Sequence, residues 1–293
     1  MPNRRHLLAA ALALPGVSAS ASAPALVVTL RAPDGVADPR NDFVGGIARL
    51  ALERTRDSHG GYTLARSVPM NNVRALRAAG QNDPPNLLLP VAPDVGREAG
   101  LAAVAFPIHL GVHGYRVCFV NPARREQLRA VRRLADLGPF LHVQGKDWAD
   151  VSVLRANGLK VVEVTSYPAM FQMVALGRVD LFCRSILEAG PELERHAGLP
   201  GLVLDDSLLL AYDLPSYFHT HPSNLALIER MTAGLKRAYS DGSLQALLRQ
   251  RLQPYAPLLQ LARRRVIQLA SPPGWPDATE PRLTPQQLMK SLR

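Results

Sequence analysis

Apolar and polar positions along this chain switch between a period near two and a period near 3.6, and the switching predicts its elements. Ala25 to Leu30 is a short apolar, β-branched run ending in Arg31-Ala32-Pro33-Asp34-Gly35, which reads as a strand followed by a turn. Phe43 to Arg56 places Ile47, Leu50 and Ala51 on one helical face. Tyr62 to Val68 predicts a strand, Asn71 to Ala79 a helix stopped by Gly80, and Leu87 to Val91 a buried strand. Strand and helix alternate over this stretch, which argues for a parallel sheet covered by helices on both faces.

The alternation then starts again. Gly114 to Val120 predicts a strong strand, Arg124 to Leu137 a helix, Phe140 to Val143 a strand, and Asp147 to Ala156 a helix ended by Gly158. Val161 to Val164, Pro168 to Leu176, Val179 to Cys183 and Leu187 to His196 continue the series as strand, helix, strand and helix. Leu208 to Phe218 is extended but interrupted by Pro215. Helices over Asn224 to Tyr239 and Ser243 to Leu252 follow, separated by Asp241-Gly242. The fold class is therefore α/β with two lobes, each a mainly parallel sheet flanked by helices, joined by crossings near residues 118 and 215. The return segment is too short and too helical for a third domain, so it is expected to pack on the first lobe. The expected division is 22–118 plus 216–254 for lobe 1 and 119–215 for lobe 2. A tail over 255–293 is expected to wrap the surface, with Thr284-Pro285 able to cap a last short helix.

The N-terminus changes the picture of where the protein works. Arg4-Arg5 form a basic head, Leu7 to Val17 an apolar stretch, and Ser18 to Ala23 a run of small residues, the layout of a secretory leader. The apolar stretch falls short of the roughly 20 residues that a spanning helix needs. Cleavage after Ala21 is expected, leaving a soluble periplasmic protein of about 270 residues, enough for two lobes. The Arg-Arg-His-Leu-Leu run also loosely resembles a twin-arginine signal.

Apolar residues make up 47% of the chain, which supplies a real core. Without Arg4 and Arg5 the balance is 32 basic against 24 acidic residues, a net +8. The arginines are scattered, aromatics are only 5%, and no nucleic-acid motif appears, so nucleic acid is not an expected partner. The densest basic run (Arg124, Arg125, Arg129, Arg132, Arg133) reads as a solvated helix face. Cys118 and Cys183 sit inside apolar runs and are expected as buried free thiols, although the compartment would permit a disulfide. His109 with His113, and His219 with His221, lack the company of a metal set, so neither a metal nor another cofactor is expected.

Four stretches carry a resemblance to a known family. They are Arg74 to Gly80 followed by Asn86 to Pro90; Asp94-Val-Gly-Arg97-Glu98, standing where the family has Thr-x-x-Arg; Phe106-Pro-Ile-His109, like its Phe-Ser-x-Pro-Tyr; and Leu176 to Ser185, like its Gly-Arg-x-Asp-Ala strand. In that order and spacing the chain resembles the extracellular solute-binding proteins of family 3, with the type II periplasmic-binding fold. The resemblance implies that Arg97 holds a ligand carboxylate, through paired charge-assisted hydrogen bonds. It also implies an acidic residue near position 185 for a ligand ammonium, and here the chain departs: it has Arg184-Ser185.

Arg184 follows the second-lobe strand at the carboxyl end where α/β sheets bind ligands, though pairing with Glu188 would give it a purely structural role. Gln144 to Asp150 joins a strand to a helix. Asp147 is expected as its N-cap with Asp150 in a capping box, and Lys146 and Trp148 flank the helix start. Arg97, Arg184, Ser185, Lys146 and Trp148 are thus the candidate ligand-binding residues. The expected function is a monomeric binding protein that closes around a small anionic or carboxylate-bearing solute, for an ABC-type importer or a sensor in the membrane. No paired carboxylates and no Ser–His–Asp set point to catalysis. A dehydratase-like enzyme on the same fold, or an interaction module that has lost ligand binding, are the alternatives.

Overall fold

The computed structural model describes residues 25–32, 39–272 and 281–292. The expected leader over 1–21 and the Pro33-Asp34-Gly35 turn lie outside them. The first part of the chain forms β1 (Leu26–Ala32), α1 (Pro39–Glu53), α2 (Arg56–His59), β2 (Tyr62–Pro69), α3 (Asn72–Gly80), β3 (Leu87–Val91), α4 (Pro93–Glu98) and β4 (Ala102–Ala103). The middle forms β5 (Tyr115–Val120), α5 (Arg125–Ala130), β6 (Leu141–Gly145), α6 (Ala149–Ala156), β7 (Lys160–Val164), α7 (Tyr167–Ala175), β8 (Leu181–Ser185), α8 (Ile186–Arg195), β9 (Val203–Leu204) and β10 (Leu208–Ala211). The last part forms β11 (Tyr217–Thr220), α9 (Leu225–Ser240), α10 (Ser243–Leu252), α11 (Ala256–Leu259), β12 (Arg265–Gln268) and α12 (Pro285–Ser291).

Lobe 1 is built on a sheet ordered β2-β1-β3-β11-β4, and lobe 2 on one ordered β12-β10-β5-β8-β6-β7 with β9 beside β5. Each has a parallel centre, β2-β1-β3 in lobe 1 and β8-β6-β7 in lobe 2. The antiparallel partners β11, β4 and β5 adjoin the segments that carry the chain between lobes. The burial of β1 explains its place: Val28, Thr29 and Leu30 are all buried, Val28 and Leu30 in a core with Ile47, Ala48 and Ala51 of α1, while Val27 stays half exposed. Asn71 starts α3 by accepting from the Arg74 N–H at 2.9 Å, and Ala75 and Ala79 then pack on Leu87 and Leu89.

The first crossing lies slightly away from where the sequence suggests, and the second lies at the expected place. β5 runs whole in the lobe 2 sheet, paired with β8 along its length and with β9 and β10 on its other side. A strand tied on both sides cannot be a hinge, so the first crossing is the segment before it, residues 104–114, rather than the region near 118. The second is residues 212–216, because Phe218 already belongs to β11. The two run side by side, with Ile108 N–H donating to Ser216 and Tyr212 N–H donating to Gly114. Gly114 makes this approach possible: a Cβ there would lie 1.9 Å from the Tyr212 carbonyl oxygen. Gly114→Ala is therefore expected to cost about 1–3 kcal/mol in urea unfolding, the range for overpacking. An unchanged midpoint would mean the crossings stand further apart in solution.

Three further expectations are corrected. The helix expected over 124–137 stops at Ala130, because the Asp136 carboxylate accepts the N–H groups of Arg132 and Arg133 and starts a separate turn at Leu134. Cys118 and Cys183 are directly opposed on β5 and β8 and form a disulfide, so they are not free thiols. The tail does more than wrap the surface. β12 adds to the lobe 2 sheet alongside β10, and the buried Arg264 just before it donates to the Leu208 carbonyl at 3.0 Å and stands 3.8 Å from Asp205. Thr284 and Gln287 do form the cap of α12.

The lobes also share apolar contacts. One buried cluster runs from Val28 and Ile47 in lobe 1 to Phe119, Phe182 and Leu187 in lobe 2. Arg251 of α10 donates to the Leu187 carbonyl at 3.0 Å, and Gly190 of α8 lies so close to Tyr255 that a Cβ would enter its ring.

Candidate functional site

Because β6, β7 and β8 are parallel, their carboxyl ends lie at one edge of lobe 2, and α6, α7 and α8 start there directly afterwards. This is the edge at which open α/β sheets bind ligands, with helix N-termini supplying N–H donors. Four of the five sequence candidates collect on it. Lys146 is exposed, on the turn after β6. Asp147 takes φ +62° and is exposed, so the N-cap position falls to Trp148 instead. Asp150, expected in a capping box, is instead buried and serves an ion pair with Arg116. Trp148 is half-buried, its ring seated against Gly145 and 6.4 Å from both Tyr167 and Phe182.

Arg184 and Trp148 do come together, with the guanidinium 4.8 Å from the indole centroid and 5.9 Å from Tyr167. The charge of Arg184 is already matched from within the lobe. It is nearly inaccessible, it grips Glu192 at 2.8–3.0 Å, and it meets Glu188 at 2.9 Å. Burial alone would lower its pKa, but Glu188 and Glu192 outweigh it and hold the guanidinium well above the ordinary arginine value. Ser185 is equally committed: it is buried, and its Oγ caps α8 by accepting from Leu187.

The network continues to the hinge. Glu188 also accepts from Arg116 of β5 at 3.4 Å, Arg116 pairs with Asp150 at 2.9 Å, and the Tyr212 hydroxyl donates to Asp150 at 2.6 Å. Tyr167 donates to Glu192 at 2.5 Å. Two guanidiniums and three carboxylates thus pair with one another beneath the strand ends, with the buried Arg116 Nε left without a hydrogen bond among the described residues. His109 and His113 stack beside this group at 5.0 Å. Burial pushes His109 down to about 4, with Glu188 opposing and Arg116 assisting. His113 is held well below its usual value, chiefly by burial.

Arg97 stands apart, in the last turn of α4 in lobe 1 and exposed. Among the described residues no carboxylate reaches ion-pair distance of Arg97 or of Lys146, and no hydrogen bond links Arg97 to the other four candidates. Sequence reasoning missed Arg116, Asp150, Glu192 and Tyr212. A charge at position 116 inside the run Tyr115 to Val120 was the available signal, as was the spacing of four between Arg184, Glu188 and Glu192. Among the described residues there is no cluster able to hold a metal ion.

No protein-family model and no curated protein matches this chain. Solved structures do match in fold. The GluR0 ligand-binding core in complex with L-glutamate aligns at TM-score 0.56 with 14% identity, covering 79% of this chain and 99% of that one. An ancestral arginine-binding protein bound to arginine aligns at 0.54 with 15% identity, over 78% of this chain and 98% of that one. An amino acid ABC transporter substrate-binding protein from Streptococcus pneumoniae, bound to L-arginine, gives 0.54 and 15% over 78% and 94%. At such identities the likeness is one of architecture: this chain has the two-lobed type II periplasmic-binding fold.

Proposed function

We propose that this protein is an exported solute-binding protein that holds a small solute between its lobes and presents it to a membrane permease or sensor. The observation that carries the reading is the carboxyl edge of lobe 2, where three parallel strands deliver three helix starts beside the exposed Lys146 and the half-buried Trp148. The solved structures of like fold hold amino acids, which supports a small polar ligand. The disulfide supports export, since such bonds persist in oxidising compartments. Among the described residues no helix is long and apolar enough to cross a membrane.

The preferred solute in this reading bears a carboxylate. Arg184 no longer supplies the argument, because Glu188 and Glu192 already occupy it. Arg97 and Lys146 remain as exposed cations, one on each lobe. Arg97→Ala and Lys146→Ala are each expected to weaken binding about tenfold, the loss of roughly 1.4 kcal/mol of charge-assisted contact. Titration calorimetry with organic acids and amino acids reads this directly. Binding of neutral or basic amino acids in preference to organic acids would remove the carboxylate reading. A protein that takes up neither would be an interaction module instead, a reading favoured by the internally matched Arg184.

A further inference from the structure

The C-terminal segment touches both crossings at once. The Leu283 N–H donates to the Leu110 carbonyl at 2.8 Å, and the buried Tyr115 hydroxyl donates to the Leu283 carbonyl at 2.7 Å. Leu110 belongs to the first crossing, and Tyr115 is the residue that follows it. One position earlier, Arg282 forms an ion pair with Asp213 of the second crossing at 2.8 Å. Its Cβ lies beside Gly111, close enough that a side chain there would press against it. The segment is anchored beyond these bonds by α12, whose Leu288 is buried in the cluster shared by the two lobes. It is anchored upstream by β12 in the lobe 2 sheet. The chain therefore passes from lobe 1 to lobe 2 at residues 104–114, returns at 212–216, and is joined to both lobes again by its last forty or so residues.

Lobe opening in a two-crossing fold requires the backbone angles of both crossings to change together. A strand-like strap bonded to one crossing and ion-paired to the other opposes that change, because either rotation breaks contacts of the strap. We propose that residues 282–284 act as a brake on the hinge, limiting how far the lobes part, with the Arg282–Asp213 pair as its releasable catch. The inference is independent of which solute the protein binds, or whether it binds one.

Hydrogen exchange on the full-length protein tests it. In Arg282→Glu and in Asp213→Arg, the amides of Ile108, Val112 and Gly114 are expected to exchange roughly tenfold faster or more, along with Leu283, while β1 and β6 keep their protection. Small-angle scattering should show a larger radius for both variants. The paired variant Arg282→Glu with Asp213→Arg restores the ion pair in reverse and should return exchange and radius to their original values. Unchanged exchange at 104–114 in both single variants would make the strap surface decoration and overturn the proposal. So would a paired variant that fails to recover. If a charge reversal unfolds a lobe, seen as faster exchange in β1 or β6, Tyr115→Phe removes one hydroxyl from the same contact. It must then speed exchange at Val112 and Gly114, or the proposal fails.

Discussion

Arg184→Ala is expected to lower the folding free energy by about 3–5 kcal/mol in the absence of any solute, the cost of breaking a buried ion pair from one side. The deletion takes from the buried Glu192 its guanidinium partner, and takes from Glu188 its 2.9 Å contact. Replacing both partners is expected to be far milder. Arg184→Met combined with Glu192→Leu removes the charges together, fills similar volume beside Trp148 and Phe182, and should recover most of the loss. Urea unfolding of the three proteins decides the matter. If Arg184→Ala shifts stability by less than about 1 kcal/mol, the network is not formed in solution and Arg184 returns to the list of residues free for a ligand.

Acid should weaken the fold well before its carboxylates are protonated. His109 and His142 are both buried, and burial pushes each down to about 4, with Glu188 opposing at His109 and Asp180 at His142. Their ordinary value is near 6.5, so between pH 6.5 and 4 the unfolded chain binds the more protons. A depressed histidine value favours the folded state above 6.5 and loses that contribution as pH falls through the window. Each such group contributes a slope of up to about 1.4 kcal/mol per pH unit. From about pH 7 to pH 5 the two together should remove roughly 3–4 kcal/mol, a large share of a typical total of about 5–15 kcal/mol. His113 acts in the same direction. Urea titrations at the two pH values measure the slope, and His142→Asn should flatten it. A stability that stays level across the window would show that these rings are hydrated in solution.

Much of the architecture was legible in the hydrophobic pattern, because strands such as β3 (Leu87–Val91) and β5 (Tyr115–Val120) are short, mostly apolar runs and longer helices such as α9 bury one face. What escaped the sequence depended on partners distant along the chain. The Asp136 carboxylate that ends α5 early competes locally with helix formation, and no periodicity marks it. Asp147 looked like the N-cap of α6, yet its left-handed backbone hands that place to Trp148, while Arg116 draws Asp150 inward. Arg265-Val-Ile-Gln268 is a four-residue run after Arg263-Arg264 that becomes a strand only because β10 offers it an edge. In the candidate site, the sequence located Arg184 at the correct strand end. The use made of it was set by Glu192, two helical turns further along, which no motif singled out.

The disulfide records something about the history of the molecule as well as its stability. Cys118 and Cys183 lie at the middle of the lobe 2 sheet, 1% and 0% exposed, so no oxidant can reach either sulfur once the strands are in place. The bond has to close while β5 and β8 are still finding each other, with the chain between them, a sequence separation of 65, still partly an open loop. A chain that completed lobe 2 as a dithiol would stay one, however oxidising its later surroundings. Whether the two sulfurs are joined in a purified sample is therefore a record of where folding took place.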